Sequence, residues 1–202
     1  MTETQTECRL CLAAPDALGK DFAARLEAAL DAEDVASLVL PAPTPADRDA
    51  IRHCVSAAQE RGVAVLIAGD LEAAKSLGAD GSHIGADAKA FSRARALLGP
   101  SAIIGIDCGL SRHDALTFGE KGADYIAFSG GNADRATEII RWWSDLVVVP
   151  CIAWNVASPA EARMFAQAGA DFVSAGPALW SSDPATAVAA FNAAIDLSRS
   201  AA

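Results

Sequence analysis

The sequence predicts an α/β protein built as a compact (β/α)8 TIM barrel, and three observations carry that prediction. Eight short apolar runs recur along 202 residues, amphipathic stretches of 3.6-residue period separate them, and Gly-Ala-Asp falls three times where such a stretch gives way to the next run. Runs apolar on both faces and linked by helical crossovers belong in a parallel sheet covered by helices. An open doubly wound sheet is the competing arrangement, but no G-x-G-x-x-G follows the first run.

The elements follow in order. CRLCLAA (8–14) reads as the first strand, FAARLEAALDA as its helix, VASLVL (35–40) as the second strand and DRDAIRHCVSAAQERG as the second helix. VAVLIAG (63–69), the short SHIG (82–85), AIIGIDC (102–108) and YIAFSG (125–130) give strands three to six, with FSRARALLG among the helices between them. DRATEIIRWWSDL, CIAWNV (151–156), PAEARMFAQAG and FVSAG (172–176) complete the alternation, and a last helix runs from about residue 184. This length suits a single domain spanning residues 1–202.

Gly78, Gly122 and Gly169 each stand where a helix ends, the place for a left-handed residue, with Ala-Asp leading into the next strand. Those joints lie on the barrel face associated with stability. A fourth copy, Gly85-Ala86-Asp87, follows strand four and so opens onto the opposite face, where barrel active sites sit.

Charge and composition narrow the classes of function. A formal charge of −10 speaks against a nucleic-acid partner, because phosphate-backbone binding needs clustered Lys and Arg. The start MTETQTEC has no basic or apolar run and no stretch is long enough for a membrane span, so the expectation is a cytoplasmic protein with no membrane association. Five cysteines, an odd number in a chain of this size, point to reduced thiols. Cys8 and Cys11 spell C-x-x-C, yet they fall in a strand-like run whereas a redox pair opens a helix.

LEAAKSLGADGSHIGAD, ARALLGPSAIIGID, KGADYIAF and VPCIAWNVASPAEARMFAQAGADFVSAG together resemble the thiamine phosphate synthase and thiazole tautomerase family. The resemblance implies the same barrel and a synthase that joins a pyrimidine diphosphate to a thiazole phosphate with Mg²⁺, expelling pyrophosphate. Such chemistry needs carboxylates for the metal, cationic side chains for the diphosphate and backbone N–H groups for the monophosphate. Where the family carries a Gln, Arg and Lys cluster, this chain has Val39, Pro41 and Pro43. Its Asn and metal-binding Asp correspond to Ala68 and Gly69, with Asp70 one place later, and beyond His83-Ile84-Gly85 the acidic columns hold Ala86, Asp87 and Ala88. Asp70 and Asp87 are therefore the candidate metal ligands, and Mg²⁺ is implied if the family activity is retained.

The loop after strand six offers Ser129, Gly130, Gly131 and Asn132 in place of a Thr- and Lys-rich segment. Asn155 and Val156 replace a Gly-Gly pair, and Gly176 precedes Pro177, which removes one backbone donor. Ser129 to Asn132, Trp154, Asn155 and Gly176 are the candidate ligand-binding residues, suited to a small planar or phosphorylated ligand. Asp107, Cys108 and His83 are the catalytic candidates; a tautomerase would turn on His113, which reads as a surface residue in the first turn of a helix.

The expectation is a diverged family member whose synthase activity is weakened or lost. Two alternatives stand beside it. One is an enzyme of altered specificity using Asp70, Asp87 and Asp107. The other is a non-catalytic scaffold that pairs as a homodimer, with Trp142 or Trp143 marking the partner surface while its neighbour packs on the barrel.

Overall fold

The computed structural model describes residues 7–199 and closes eight parallel strands into a barrel in sequence order, β1-β2-β3-β4-β5-β6-β7-β8. Residues 1–6, most of the acidic start MTETQTEC that bears on the expected cytoplasmic location, lie outside the described residues. The strands are β1 (Arg9–Ala13), β2 (Ser37–Leu40), β3 (Ala64–Ala68), β4 (Gly81–Gly85), β5 (Ile103–Asp107), β6 (Tyr125–Phe128), β7 (Cys151–Val156) and β8 (Phe172–Ala175). Helices α1 (Phe22–Leu30), α2 (Arg48–Gln59), α3 (Leu71–Leu77), α4 (Ala88–Leu98), α5 (Arg112–Glu120), α6 (Ala133–Leu146), α7 (Pro159–Gln167) and α8 (Pro184–Arg199) alternate with them. Among the described residues no helix is long and apolar enough to cross a membrane.

Alternation along each strand divides the core in two. Leu10, Leu12, Leu38, Leu40, Val65, Ile67, Ile104, Ile106 and Val173 face the helices. Cys11, Val39, Leu66, Tyr125, Ala127 and Ile152 fill the barrel, with Ala68, Ile103, Trp154 and Phe172 packed on them. Cys8 belongs to the outer cluster and Cys11 to the inner one, so the two thiols of the C-x-x-C lie on opposite faces of the sheet.

The Gly-Ala-Asp joints acquire a mechanism. Gly78, Gly122 and Gly169 have φ of 70°, 85° and 99°, the left-handed geometry that ends each helix without steric cost. The aspartate then secures the neighbouring strand. Asp80 Oδ2 accepts from the Val65 N–H at 2.7 Å, Asp124 Oδ2 from the Ile104 N–H at 2.7 Å, and Asp171 Oδ2 from the Cys151 N–H at 2.8 Å. Each even strand's joint thus satisfies an otherwise orphaned donor where the preceding odd strand begins. Asp80 also accepts from Gln59 and Asp124 pairs with Arg95, whereas burial pushes the Asp171 carboxyl above its ordinary range.

Gly85 is different. It ends β4 in an extended conformation, and Asp87 after it caps α4.

Candidate functional site

The C-terminal mouth of the barrel is ringed by the last inward positions of the strands: Ala13, Val39, Ala68, Gly85, Asp107, Ser129, Trp154 and Gly176. Three of the cations on the helices that follow are engaged elsewhere. Arg48 donates to Ser76, Arg93 to Glu72, and Arg112 to Glu138 while lying over the Trp142 ring at 4.8 Å.

At the centre of the mouth three aromatic side chains from separate strands meet. Tyr125 on β6 lies across Gly105 of β5, where a Cβ would stand 1.8 Å from the tyrosine Cζ, so a glycine there lets the phenol reach β4. The Tyr125 hydroxyl is 2.8 Å from His83 Nδ1. On its outer side His83 is covered by the Trp154 indole, with ring centroids 4.0 Å apart and planes 12° from parallel. β4 and β7 are three strands apart in the ring, so these two side chains meet only by reaching toward the barrel axis.

Local backbone explains how Trp154 gets there. The β7–β8 register shifts between Ala153 and Val156, a bulge of the kind that re-aims a side chain, and Asn155 takes φ 57°, the one described non-glycine residue with positive φ. Gly176 makes room beside it, since a Cβ there would lie 3.1 Å from Asn155 Cα.

Burial lowers the His83 pKa to about 4, and the nearby Asp107 charge opposes that shift only in part. The imidazole is therefore neutral at pH 7. Because the folded state refuses a proton that the unfolded chain accepts near pH 6.5, stability is retained above that value and lost as pH falls toward 4. The expected loss is about 3 kcal/mol across that window. Urea unfolding of the wild type and His83→Gln at pH 7 and pH 4.5 checks it: the variant is expected to lose less on acidification.

The other residues singled out in the sequence fall into place as follows. Asp107 Oδ1 accepts from the Gly109 N–H at 2.9 Å and from Ser129 Oγ at 2.7 Å, so this pair is brought together. Gly130 and Gly131 form a left-handed turn with φ of 74° and 73°, and Asn132 spends its Oδ1 capping α6 at the Arg135 N–H. Cys108 is buried beside them, and burial first, then Asp114 and Asp107, push its thiol up to about 12, so it stays protonated.

Asp70 and Asp87, the candidate metal ligands, each cap a helix. Asp70 caps α3 through the Ala73 N–H at 2.9 Å, and Asp87 caps α4 through the Ala90 N–H at 2.6 Å. Among the described residues no group of three or more His, Cys, Asp or Glu side chains is placed to hold a metal. An open depression of about 380 Å³ lies beside Asp70, lined also by Ala42, Ala68, Gly69, Glu72 and Arg93. His113 is exposed on α5, and His53 is exposed on α2 beside Glu27.

The segment after β8 is fastened over β1. Trp180 Nε1 donates to the Ala13 carbonyl at 2.7 Å and its ring packs on Phe22 with centroids 4.9 Å apart, while Arg25 donates to the Ser182 carbonyl. In the barrel interior Ser174 Oγ is fully buried without a hydrogen-bond partner among the described residues. Sequence reading missed Tyr125 and Gly105; the one signal available was a glycine in the middle of a strand, which marks close approach by another group.

A sequence model described as thiamine monophosphate synthase matches residues 10–179, more than half of the chain. The chain belongs to the thiamine monophosphate synthase family. Among its relatives, the thiamine-phosphate synthase of Rhodospirillum centenum (strain ATCC 51521 / SW) is 39% identical over 201 residues, covering 93% of this chain and 97% of the relative. That of Hyphomonas neptunium (strain ATCC 15444) is 38% identical over 215 residues, covering 96% and 97%. A thiamine phosphate pyrophosphorylase structure from Pyrococcus furiosus superposes with a TM-score of 0.81 at 20% identity, over 97% of this chain and 99% of that one. This structural likeness shows a shared fold. At this chain's mouth the aromatic stack is set against acidic and neutral polar neighbours.

Proposed function

We propose that this family member has weakened or lost thiamine phosphate synthase activity, and that its mouth takes at most a small planar ligand weakly. The observation that carries the reading is the Trp154 indole lying flat on His83 at the barrel axis, in a ring of inward side chains none of which is cationic. A pyrophosphate leaving group needs countercharge at the moment it departs, and the inward ring supplies one carboxylate, Asp107, and no cation.

Mg²⁺ fares no better on the donors present. Asp70 and Asp87 each have one oxygen committed to a helix cap and Asp107 Oδ1 accepts two hydrogen bonds, which leaves one free oxygen on each carboxylate, and among the described residues no three such groups are gathered to hold the ion. The polar groups left at the mouth, Asp107, Ser129 and Asn155, are suited to orienting a neutral or amino-bearing ring rather than a phosphate. Five buried free thiols suit a reducing compartment, and the cytoplasm is the setting we assign.

One observation favours an active enzyme instead: relatives named thiamine-phosphate synthase align along nearly their whole length. Calorimetric titration of the protein with inorganic pyrophosphate and Mg²⁺ separates the two. No saturable heat at millimolar pyrophosphate is expected; saturation in the micromolar range would return the chain to the active synthases.

A further inference from the structure

We propose that the outer face of α5 and α6 binds a second copy of this chain, with the two α6 helices packed antiparallel about a two-fold axis that passes between Glu138 and Trp142. The surface lies on the wall of the barrel, and its pairing is independent of whether the mouth is catalytic.

Grouped apolar side chains mark the place. Among the described residues, three of the exposed large hydrophobics belong to one sector of the wall: Leu116 on α5 is 41% exposed, Leu146 in the last turn of α6 is 68% exposed and Val148 just beyond it is 100% exposed. Half-buried Trp142 stands one turn before Leu146 on the same side of α6. The Arg112 guanidinium lies over the Trp142 ring at 4.8 Å, and Leu116 is one turn further along α5, so the apolar side chains of both helices fall together. Such a group on an otherwise polar wall is the signature of a contact surface.

Charge says what covers it. Among the described side chains, Arg135, Arg141 and Arg163 are the arginines with no hydrogen bond or ion pair in their own chain, whereas every other described arginine donates to a partner. Two of those three stand exposed on α6, as does Asp145, which has no partner within the chain either. Arg135 is in the first turn of α6 and Asp145 in its last, and an antiparallel copy inverts that order. About the stated axis Arg135 stands opposite Asp145 of the partner subunit, and Asp145 opposite the partner's Arg135, so one register satisfies both charges on both copies. The Arg135 stem then covers the partner's Leu146 while its guanidinium meets the carboxylate beside it.

This face also escapes a penalty that the rest of the surface imposes. The chain carries a formal charge of −10, so most pairings of two copies set acid against acid. On α6 and the arginine lying over it the signs balance, with Arg112, Arg135 and Arg141 against Asp134, Glu138 and Asp145.

Sedimentation velocity of the full chain over a micromolar-to-millimolar concentration series tests the proposal, with cooperative thermal unfolding confirming that each variant is folded. The wild type is expected to dimerise in the micromolar range, as suits a small interface that forms and separates. Arg135→Asp and Asp145→Arg are each expected to weaken dimerisation by about tenfold or more, because each sets like charges opposite one another twice. Both put at their end of α6 the charge that the helix dipole favours, so neither threatens the fold. The double variant Arg135→Asp/Asp145→Arg restores opposite charges in reversed order and is expected to recover the wild-type affinity to within about threefold. Leu146→Glu, at an exposed position, is expected to weaken the dimer by about tenfold. The proposal is overturned if the wild type stays monomeric throughout the series, if either charge swap or Leu146→Glu leaves the dimer unchanged, or if the double variant dimerises no more tightly than the single swaps. None of these positions is among the inward residues of the mouth, so the outcome is separate from any measurement of synthase activity.

Discussion

Replacing Gly105 with alanine is expected to destabilise the protein by about 3 kcal/mol, at the upper end of the range for forcing one methyl into a packed core. The added Cβ would stand 1.8 Å from Tyr125 Cζ and 2.3 Å from Cε1 and Cε2. No rotation of the phenol relieves this, because the ring is sandwiched inside the barrel and its hydroxyl is tied to His83 at 2.8 Å. The cause can be isolated by a double-mutant comparison. In a Tyr125→Leu background the same Gly105→Ala change is expected to cost less than about 1 kcal/mol, since the space it intrudes on is then empty. Urea unfolding midpoints at constant m-value measure both; equal costs in the two backgrounds would mean that the strain lies in the β5 backbone instead.

The second large effect is at Trp143. This indole is 1% exposed, stands edge-on to Phe128 at 5.8 Å, and donates its Nε1–H to the Val149 carbonyl at 2.7 Å. Trp143→Ala removes the largest fully buried side chain between α6 and the barrel and leaves that carbonyl unpaired, with an expected loss of about 4 kcal/mol. The adjacent Trp142 is half-buried under the Arg112 guanidinium, so Trp142→Ala is expected to cost about 1 kcal/mol, mostly lost cation–π contact and partial burial. Thermal unfolding of the two variants side by side checks the contrast between neighbours in sequence that face different surroundings.

Much of the architecture was legible because it is written locally. Strand positions follow from apolar runs bounded by turn residues, and all eight runs became strands within a residue or two of their expected ends. Gly78, Gly122 and Gly169 were readable as left-handed helix ends for the same reason, since a helix stop is a property of a few consecutive residues. The aspartate that follows each was not. Its partner is the first or second amide of the neighbouring strand, 15 to 20 residues away, and nothing in the tripeptide encodes that distance.

The site was legible only as a list of strand-end residues. His83 and Trp154 were each noticed, but their stacking joins strands three places apart, and the bulge that aims Trp154 has no local signature beyond an asparagine able to take positive φ. Asp70 and Asp87, weighed as metal ligands, occupy N-cap positions that could have been recognised from an aspartate standing immediately before each helix. Tyr125 passed unmarked because an aromatic in a buried strand is ordinarily core; only its position opposite a mid-strand glycine makes it the support of the histidine.

The measurement that bears most directly on the central claim is formation of thiamine phosphate from the pyrimidine diphosphate and thiazole phosphate with Mg²⁺, run beside the Rhodospirillum centenum relative. A mouth covered by Trp154 and lacking inward cations predicts turnover lower by on the order of 1,000-fold or more, the loss that follows when charge-stabilising groups are removed. Turnover within about tenfold of the relative would contradict the account, because differences that small leave the transition-state stabilisation essentially intact.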